Sequence, residues 1–346
     1  MKIAFPPNSW AGGFLHSIMK AFEYLGHETF MVSTFNASLT NKIQRRIPIN
    51  SISEKASISQ DYHYNKYILQ QIKGFDPDIF FNISGSGLFP ETIKEIKSKK
   101  CLTICLIADN PCDPAPHRDK IFPMTLRYYD YLLNPEKTWN KLLLNLTPNS
   151  KIIKFYGGFD PGNFFPVDNI TEEDRIKFNC DVSFTGHSYK NSPEGAYRSG
   201  IVGLLNDFSV KIWGDKDWAY RFQYYKSLKN AYQGERLNYN ELRKLYTIST
   251  INLNLPSPQI LSSFQPRVFE ISATKGFQII DHSDDLYQFF NRDEIVTFKS
   301  IGELKEKINY YLQNKEEREK IKDAMYNRVK QEFTWDNQIR ILLTKI

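Results

Sequence analysis

The chain has 346 residues, of which 24% are charged and 14% aromatic, and this composition is typical of a globular protein. Lysine and arginine exceed aspartate and glutamate by 45 − 39 = 6. Without a basic tail, this mild excess does not by itself indicate nucleic acid, and it is compatible with an anionic ligand. The four cysteines form no CxxC pair and have no histidine cluster beside them, which disfavours structural zinc and a disulfide scaffold.

The amino terminus, MKIAFPPNSW, is interpreted as a short strand that runs into a loop. It is not interpreted as a signal peptide, because the apolar segment typical of one does not follow. No window of the sequence holds the roughly eighteen apolar residues of a membrane-spanning helix. We therefore expect a cytoplasmic protein, and peripheral contact with a membrane is left open. The length indicates two domains.

Short apolar runs alternate with helical patterns over residues 1–165. The helix FLHSIMKAFEY has apolar residues at helical spacing and should end at Gly26, a typical carboxyl-terminal cap. The predicted strands are KIAF, HETFMVS, IFFNI, CLTICLIAD, YDYLLN and SKIIKFY. Apolar strands that alternate with helices are the signature of a parallel sheet covered on both faces.

A second alternation follows a break in the pattern. The segment GGFDPGNFFPVDNI, residues 157–170, has glycines and prolines without periodicity and is interpreted as a linker. The predicted strands after it are CDVSFTG, SVKIWG, TINLNL and FQIID, and residues 300–346 are mostly helical. The sequence therefore predicts an α/β protein with two Rossmann-like domains that face a central cleft, followed by a helical carboxyl terminus.

Ligands of such sheets bind at the carboxyl ends of the strands, so the residues that follow each strand are the site candidates. Gly12 and Gly13 follow the first strand and precede a helix, where glycines let an anion approach the backbone, although a plain turn explains them equally well. Their spacing is not G-x-G-x-x-G, which disfavours a dinucleotide dehydrogenase. Asp109 ends a buried strand and is either an acid or base in the cleft or an aspartate that caps its own turn.

Two further candidates follow strands of the second half. Gly186 ends the strand CDVSFTG, and His187, Tyr189 and Arg198 come after it with hydrogen-bond donors for phosphate, while a solvated loop is the alternative. Residues 215–237 form an aromatic and basic insertion. We interpret it first as a packing cluster and second as a surface that stacks on an acceptor or a base.

The sharpest pattern is the pair Arg267 and Glu270, which lie three positions apart and hence on one side of the helix QPRVFEISATK. Ser262 or Ser263 is expected to cap this helix, with Pro266 in its first turn. An arginine there suits a diphosphate because its planar fork binds two oxygens, and a carboxylate one turn deeper suits a ribose diol. The alternative is a surface ion pair, worth about 0.3 kcal/mol.

The runs CDVSFTG, LYTISTINLNL, RVFEISATKGFQIID, LYQFF, YYLQNKEEREKI and FTWDNQIRIL resemble the carboxyl-terminal half of CgeB-like glycosyltransferases. These are GT-B enzymes related to the retaining glycosyltransferase family 4 group. The resemblance is specific over residues 180–346 and looser over 1–165, where AGGFLHSIMKAFEYLGHE and LIADNP are similar to the amino-terminal domain. It implies an acceptor-side domain at 1–165, a nucleotide-sugar donor domain at 166–333 and a helix at 334–346 that returns to the first domain.

The resemblance also implies roles for single residues. Glu270 would bind the donor ribose, and Arg267 would lie near the diphosphate and act in catalysis. Gly186, His187 and Tyr189 would belong to the first phosphate-facing loop of the donor domain. The other implied site residues are Asn238 and Tyr239 near the base, Gly12 and Gly13 facing the diphosphate, and Asp109, which would orient donor or acceptor where the two sugars meet.

The chain departs from the family pattern at two positions. Retaining relatives often carry a second glutamate eight residues before the ribose-binding one, and this chain has Ser262 there, so the nucleotide half of the site is better supported than the sugar half. Lys275 stands where a small residue is usual, with Gly276 after it. A lysine at the carboxyl end of a helix is favourable in itself.

We therefore expect transfer of a sugar from a nucleotide diphosphate sugar, a UDP-sugar in the first place, to a hydroxyl acceptor on a glycan, a protein or a modified nucleobase. Retention is expected, with no cofactor and no metal, since no acid pair of the DxD type is recognised after a strand. Arg267, the helix start and the Gly12–Gly13 amides would stabilise the leaving diphosphate. The alternatives are a nucleotide-sugar epimerase on the same fold and a non-catalytic nucleotide-binding module. Nucleic acid as the acceptor and the oligomeric state are left open.

Overall fold

The computed structural model describes residues 1–7, 13–35, 50–84, 86–111 and 121–346, without the side chains of 50–57. The chain divides into two compact units, Met1–Phe155 with Ile339–Ile346 and Tyr156–Gln338. In the described part of the chain, no helix has both the length and the apolar character needed to cross a bilayer.

The first unit contains a six-stranded sheet in which all neighbouring strands are parallel. Its strands are β1 (Lys2–Phe5), β2 (Glu28–Met31), β3 (Ile79–Ile83), β4 (Leu102–Leu106), β5 (Tyr131–Asn134) and β6 (Lys151–Lys154). Their order is β2-β1-β3-β4-β5-β6. The helices described here are α1 (Phe14–Tyr24), α2 (Asn50–Phe75), α3 (Pro90–Lys97), α4 (Phe122–Thr125) and α5 (Asn140–Leu146), with 3-10 turns at Leu126–Tyr128 and Lys137–Trp139.

The second unit contains another six-stranded parallel sheet, in the order β12-β11-β10-β7-β8-β9. Its strands are β7 (Val182–Thr185), β8 (Val210–Trp213), β9 (Tyr232–Gly234), β10 (Ile251–Asn254), β11 (Gln278–Asp281) and β12 (Val296–Phe298). Its helices are α6 (Glu172–Phe178), α7 (Pro193–Gly203), α8 (Trp218–Arg221), α9 (Ser227–Ala231), α10 (Tyr239–Ile248), α11 (Arg267–Ala273), α12 (Ile301–Gln313) and α13 (Lys315–Glu332), with a 3-10 turn at Asp284–Gln288. The last helix, α14 (Trp335–Leu343), includes residues of both units.

The predicted alternation of apolar strands and helices is confirmed in both units. The prediction that α1 ends at Gly26 is also confirmed, since this glycine has a positive φ of 82° just after the helix. Strands β9 and β12 were missed, because each has only three residues and too few positions to show a period. Strand β9 lies in the insertion at 215–237, where Trp218 and Leu228 are buried in the core, so packing accounts for part of this segment.

An aromatic cluster fills one side of the second unit and supports α11. Phe269 of that helix stacks on Phe333 at 4.5 Å between ring centroids, and Tyr156 stacks on Phe264 at 4.9 Å. Phe159, in the segment interpreted as a linker, is only 3% exposed and exchanges backbone hydrogen bonds with residues 333 and 335. The segment has no helix or strand, yet its aromatic side chains bind it to the core, which a solvated linker would not do.

Helix α7 offers a matched pair of glycines for a stability test. A methyl group at Gly195 would lie 1.2 Å from the carbonyl oxygen of Ser188, whereas one at Gly200 would meet nothing nearer than 3.9 Å. Gly195→Ala should therefore lower the free energy of unfolding by about 1–3 kcal/mol through overpacking, and Gly200→Ala should raise it by about 0.5–1 kcal/mol. Thermal denaturation of the two variants checks this. Equal effects of the two substitutions would contradict the close packing at Gly195.

Candidate functional site

The strand order of the second sheet reverses between β7 and β10, because β8 and β9 lie beyond β7 while β11 and β12 lie beyond β10. The connections that leave two such strands diverge, and ligands of open parallel sheets bind in the crevice at their carboxyl ends. The loop that begins at Gly186 follows β7, and residues 255–266 follow β10 and lead into α11. These two connections define the candidate site.

Helix α11 begins at Arg267, and Glu270 follows one turn later. The backbone N–H of Glu270 donates to the carbonyl of Pro266 at 3.1 Å. The prediction that Ser262 or Ser263 caps this helix is wrong, because Pro266 occupies the cap position.

Ser262 is instead held by a different part of the fold. Its carbonyl accepts hydrogen bonds from the backbone N–H of Asp285 at 3.1 Å and from the hydroxyl of Ser283 at 2.5 Å. Asp285 is itself fully buried and accepts a hydrogen bond from the hydroxyl of Tyr156 at 2.8 Å. The residue that departs from the family pattern is therefore 5% exposed and fixed in the second unit.

Two arginines of the site interact unfavourably. Burial lowers the pKa of Arg198, and the nearby charge of Arg267 lowers it further, while Glu194 opposes both effects. Arg198 is 4% exposed, pairs with Glu194 at 2.8 Å and donates to the carbonyl of His187 at 3.1 Å. Within the described residues, Nε of Arg198 and Nη1 of Arg267 are buried and make no hydrogen bond. Since buried donors nearly always have acceptors, these two nitrogens suit an anionic ligand.

Glu270 lies partly buried beside these cations. Burial raises the pKa of its carboxyl group above the usual value, and the charges of Arg267 and Arg236 oppose that rise. Burial thus dominates the environment of the glutamate, which disfavours the alternative of a solvated surface pair with Arg267. A carboxylate in this position has oxygens that can accept two hydroxyl protons.

Tyr246 of α10 is a buried residue beside Arg267. Burial raises the pKa of its phenol to about 12, a hydrogen bond from Arg267 favours the ionised form, and the hydroxyl lies 3.2 Å from that of Thr185 at the end of β7. Sequence analysis missed this residue. It stands seven positions after Tyr239, which places both on one side of α10, and that spacing was the available signal.

The segment before α10 contributes Arg236 and Tyr239. Burial lowers the pKa of Arg236. The nearby Tyr239 and Glu270 oppose this change, and the charge of Arg267 adds to it. Burial and then the charge of Glu270 raise the pKa of Tyr239. Asn238 has a structural role, because its side chain accepts the N–H of Glu241 at 3.0 Å in a capping box. Arg236 was missed by sequence analysis because a single loop arginine carries no local signal.

The structure also places the remaining predicted residues. Gly186, His187 and Tyr189 follow β7, and the rings of His187 and Tyr189 stack at 5.1 Å. Gly13 stands at the cap position of α1 in the first unit, and Gly12 lies outside the described residues. Asp109 follows β4 in the first unit and is half-buried. Searching the described residues finds no group of three or more His, Cys, Asp or Glu side chains that could bind a metal ion.

The carboxyl end of α11 explains the second departure from the family pattern. Lys275 has a φ of 57°, and the N–H groups of Lys275 and Gly276 donate to the carbonyls of Ser272 and Ile271, each at 3.0 Å. This is a Schellman ending in which lysine takes the left-handed position that glycine usually takes. The next residue must be glycine, because a methyl group at Gly276 would lie 2.7 Å from the carbonyl oxygen of Tyr246.

Comparisons with known proteins bear on both units. Residues 199–344 match a family model described as glycosyl transferase-like. No curated protein matches the chain significantly.

Solved structures resemble the chain over nearly its whole length. Sucrose-phosphate synthase from Thermosynechococcus elongatus has a TM-score of 0.68 at 12% identity, covering 99% of this chain and 98% of that one. A UDP-forming α,α-trehalose-phosphate synthase from Burkholderia xenovorans has a TM-score of 0.65 at 11% identity, covering 99% and 98%. Anabaena HepE in complex with UDP-glucose has a TM-score of 0.61 at 12% identity, covering 100% of both chains. The predicted GT-B fold with two Rossmann-like domains is confirmed.

The raised pKa of Glu270 predicts a pH dependence of stability. The folded state keeps the carboxyl proton to a higher pH than the unfolded chain, so the stability falls as the pH rises from the ordinary glutamate pKa to the raised one. Glu270→Gln removes this titration, and its melting temperature relative to wild type should therefore increase as the pH rises above the ordinary glutamate pKa of 4.5. Thermal denaturation across this range measures the difference.

The exposed Glu306 of α12 supplies the control. Glu306→Gln should leave the pH dependence of the melting temperature close to that of wild type. If the curve of Glu270→Gln also runs parallel to wild type, the carboxyl group does not titrate abnormally and the burial argument fails.

Proposed function

We propose that this protein is a glycosyltransferase that moves a sugar from a UDP-sugar to a hydroxyl acceptor, with retention and without a metal ion. The resemblance of residues 199–344 to a glycosyl transferase-like family and the GT-B fold support the reaction class. The relation to the CgeB-like and retaining family 4 enzymes, the cytoplasmic location and the absence of a cofactor belong to the same proposal.

The observation that carries the proposal is a pair of arginines near the reversal of strand order, each with a buried guanidinium nitrogen. Nε of Arg198 and Nη1 of Arg267 lack acceptors within the described residues, and the two charges disfavour one another. Such an arrangement is costly for a protein on its own and becomes favourable when an anion binds. A diphosphate supplies the charge, and the carboxylate of Glu270 beside it suits a ribose diol.

The same groups suit the chemistry of transfer. The bond between the anomeric carbon and the diphosphate oxygen breaks, the acceptor oxygen forms the new bond to that carbon, and the hydroxyl proton leaves with the diphosphate or to water. Negative charge therefore grows on the diphosphate as the bond breaks. The positively charged Arg267, whose Nη1 is buried, would stabilise this charge. Asp109 is proposed to orient donor or acceptor.

UDP is the preferred nucleotide because several structures of this fold contain it, including Anabaena HepE with UDP and glucose at 13% identity. The proposed acceptor is a hydroxyl group of a glycan, a protein or a modified nucleobase. Retention is tested by the anomeric configuration of the product, read by proton NMR at early times. An inverted product would overturn that part of the proposal and leave transfer itself intact.

Nucleotide binding is tested by thermal shift with UDP-, GDP-, ADP- and TDP-sugars. A ligand at about a thousand times its Kd adds about 4 kcal/mol of stability, so a matching donor should raise the melting temperature clearly. Arg267→Ala and Glu270→Ala should each weaken binding by about 10- to 100-fold, because each removes charged hydrogen bonds. The control is Lys305→Ala, which removes a surface pair with Asp207 and should leave the shift unchanged.

The outcomes separate this proposal from its alternatives. If no nucleotide sugar raises the melting temperature, the proposed glycosyltransferase function is wrong. Transfer of labelled sugar to an acceptor would support it, whereas an epimer formed from donor alone would indicate an epimerase. Binding without transfer, epimerisation or donor hydrolysis would indicate a non-catalytic module, and slow donor hydrolysis on long incubation would argue against that alternative.

A further inference from the structure

The loop after β7, residues 186–190, is held from one side by a carboxylate. Asp215 accepts hydrogen bonds from the backbone N–H of Ser188 at 2.8 Å and of Tyr189 at 3.1 Å, and it lies 3.4 Å from Nδ1 of His187. Burial alone would raise the pKa of Asp215, but these hydrogen bonds lower it overall. The carboxylate is thus stabilised in its charged form by the loop that it holds.

A guanidinium group holds the same loop from its carbonyl side. Arg221 is 7% exposed and donates from Nε to the hydroxyl of Ser188 at 3.0 Å. Its Nη2 donates to the carbonyl of Ser188 at 3.2 Å and to the carbonyls of Tyr189 and Lys190, each at 3.1 Å. One arginine therefore fixes three consecutive carbonyl groups.

These contacts hold an unfavourable backbone conformation. Tyr189 has a φ of 42°, in the left-handed region that side chains other than glycine and asparagine rarely adopt. Such conformations persist where the surroundings over-determine them, and they cluster at binding sites. Here the result is the stack of His187 on Tyr189, with the two rings 17° from parallel and the histidine side chain 41% exposed.

The loop that carries the stacked rings lies near the charged residues of the candidate site. Tyr189 is an electrostatic neighbour of both Arg198 and Arg236. Arg198 donates a hydrogen bond to the carbonyl of His187, so the loop is linked directly to a buried arginine. Neither Asp215 nor Arg221 is needed for this sheet to pair, since their side chains bond to the loop and not to the strands.

We propose that Asp215 and Arg221 are positioning residues that hold residues 186–190 in the shape that receives the nucleotide-sugar donor, with His187 and Tyr189 as the contact surface. This rests on the proposed function. The donor binds a loop that is already ordered. When only a fraction of molecules has the competent loop, the apparent Kd rises by the inverse of that fraction, so loss of either residue weakens binding without removing a ligand contact.

The test measures the Kd of UDP by isothermal titration for the full-length chain. Arg221→Met keeps the stem of the side chain and removes all four hydrogen bonds, and it should raise the Kd by about 10- to 100-fold. Asp215→Asn keeps the shape of the carboxylate and gives a second, independent variant should Arg221→Met fail to fold. The matched control is Lys211→Met, because Lys211 donates to the carbonyls of Ile176 and Lys177 at 3.0 and 2.7 Å, away from the loop. It should leave the Kd of UDP unchanged.

A double-mutant cycle distinguishes positioning from general destabilisation. Asparagine tolerates the left-handed conformation, so Tyr189→Asn removes the ring and keeps the backbone. If Arg221 acts through the loop, Arg221→Met should raise the Kd several-fold less in the Tyr189→Asn background than in wild type. An effect that is the same in both backgrounds would overturn the proposal.

The failures of the two proposals are distinguishable. Wild-type protein that binds no UDP or other nucleotide sugar rejects the proposed function, and the positioning role falls with it. Wild-type protein that binds UDP while Arg221→Met and Asp215→Asn bind it equally well rejects the positioning role alone. A loss of UDP binding in Lys211→Met as large as in Arg221→Met would also overturn it, because the effect would then be one of stability.

Discussion

The burial of Arg198 next to a second positive charge, that of Arg267, is the constraint on which the rest of the site depends. Arg198 and Arg267 disfavour one another, and each has a buried nitrogen without an acceptor within the described residues. A charge of this kind is tolerated only when neighbouring groups compensate it or when a ligand does so. Glu194 compensates Arg198 directly, and Glu270 compensates Arg267 in part. A bound anion would compensate the positive charge that these two carboxylates leave.

The fold places these charges by its strand order. Strands β7 and β10 are neighbours although four helices and two further strands separate them in the chain, and their connections leave in opposite directions. The connection after β10 delivers Arg267 at the start of α11, and the connection after β7 delivers the stacked pair of His187 and Tyr189. Phe269 of α11 stacks on Phe333 in the core of the second unit. This packing fixes the helix and therefore the position of Arg267 at its start.

Close backbone approaches make this arrangement possible. A methyl group at Gly214 would lie 2.1 Å from the carbonyl oxygen of Gly186, and one at Gly195 would lie 1.2 Å from that of Ser188. The ends of β7 and β8 and the start of α7 therefore meet at distances that only glycine permits. The hydrogen bonds of Asp215 and Arg221 then fix the backbone conformation of the loop after β7. A strained loop with fixed side chains is the result, and such loops bind ligands with little loss of conformational freedom.

The sequence alone determined the alternation of strands and helices and the placement of Arg267 and Glu270 on one side of one helix, because apolar periodicity and the spacing of three along a helix are local properties. The predicted cap at Ser262 was wrong, because the backbone carbonyl of Ser262 is bound by Ser283 and Asp285, which are distant in the chain. Only the tertiary structure decided that Tyr246 and Arg236 join the group and that Arg221 grips the loop after β7. These facts depend on which strands lie side by side, and that order arises from long-range pairing that leaves no local pattern. The burial of Arg198 and of Nη1 of Arg267 is likewise a property of the folded chain.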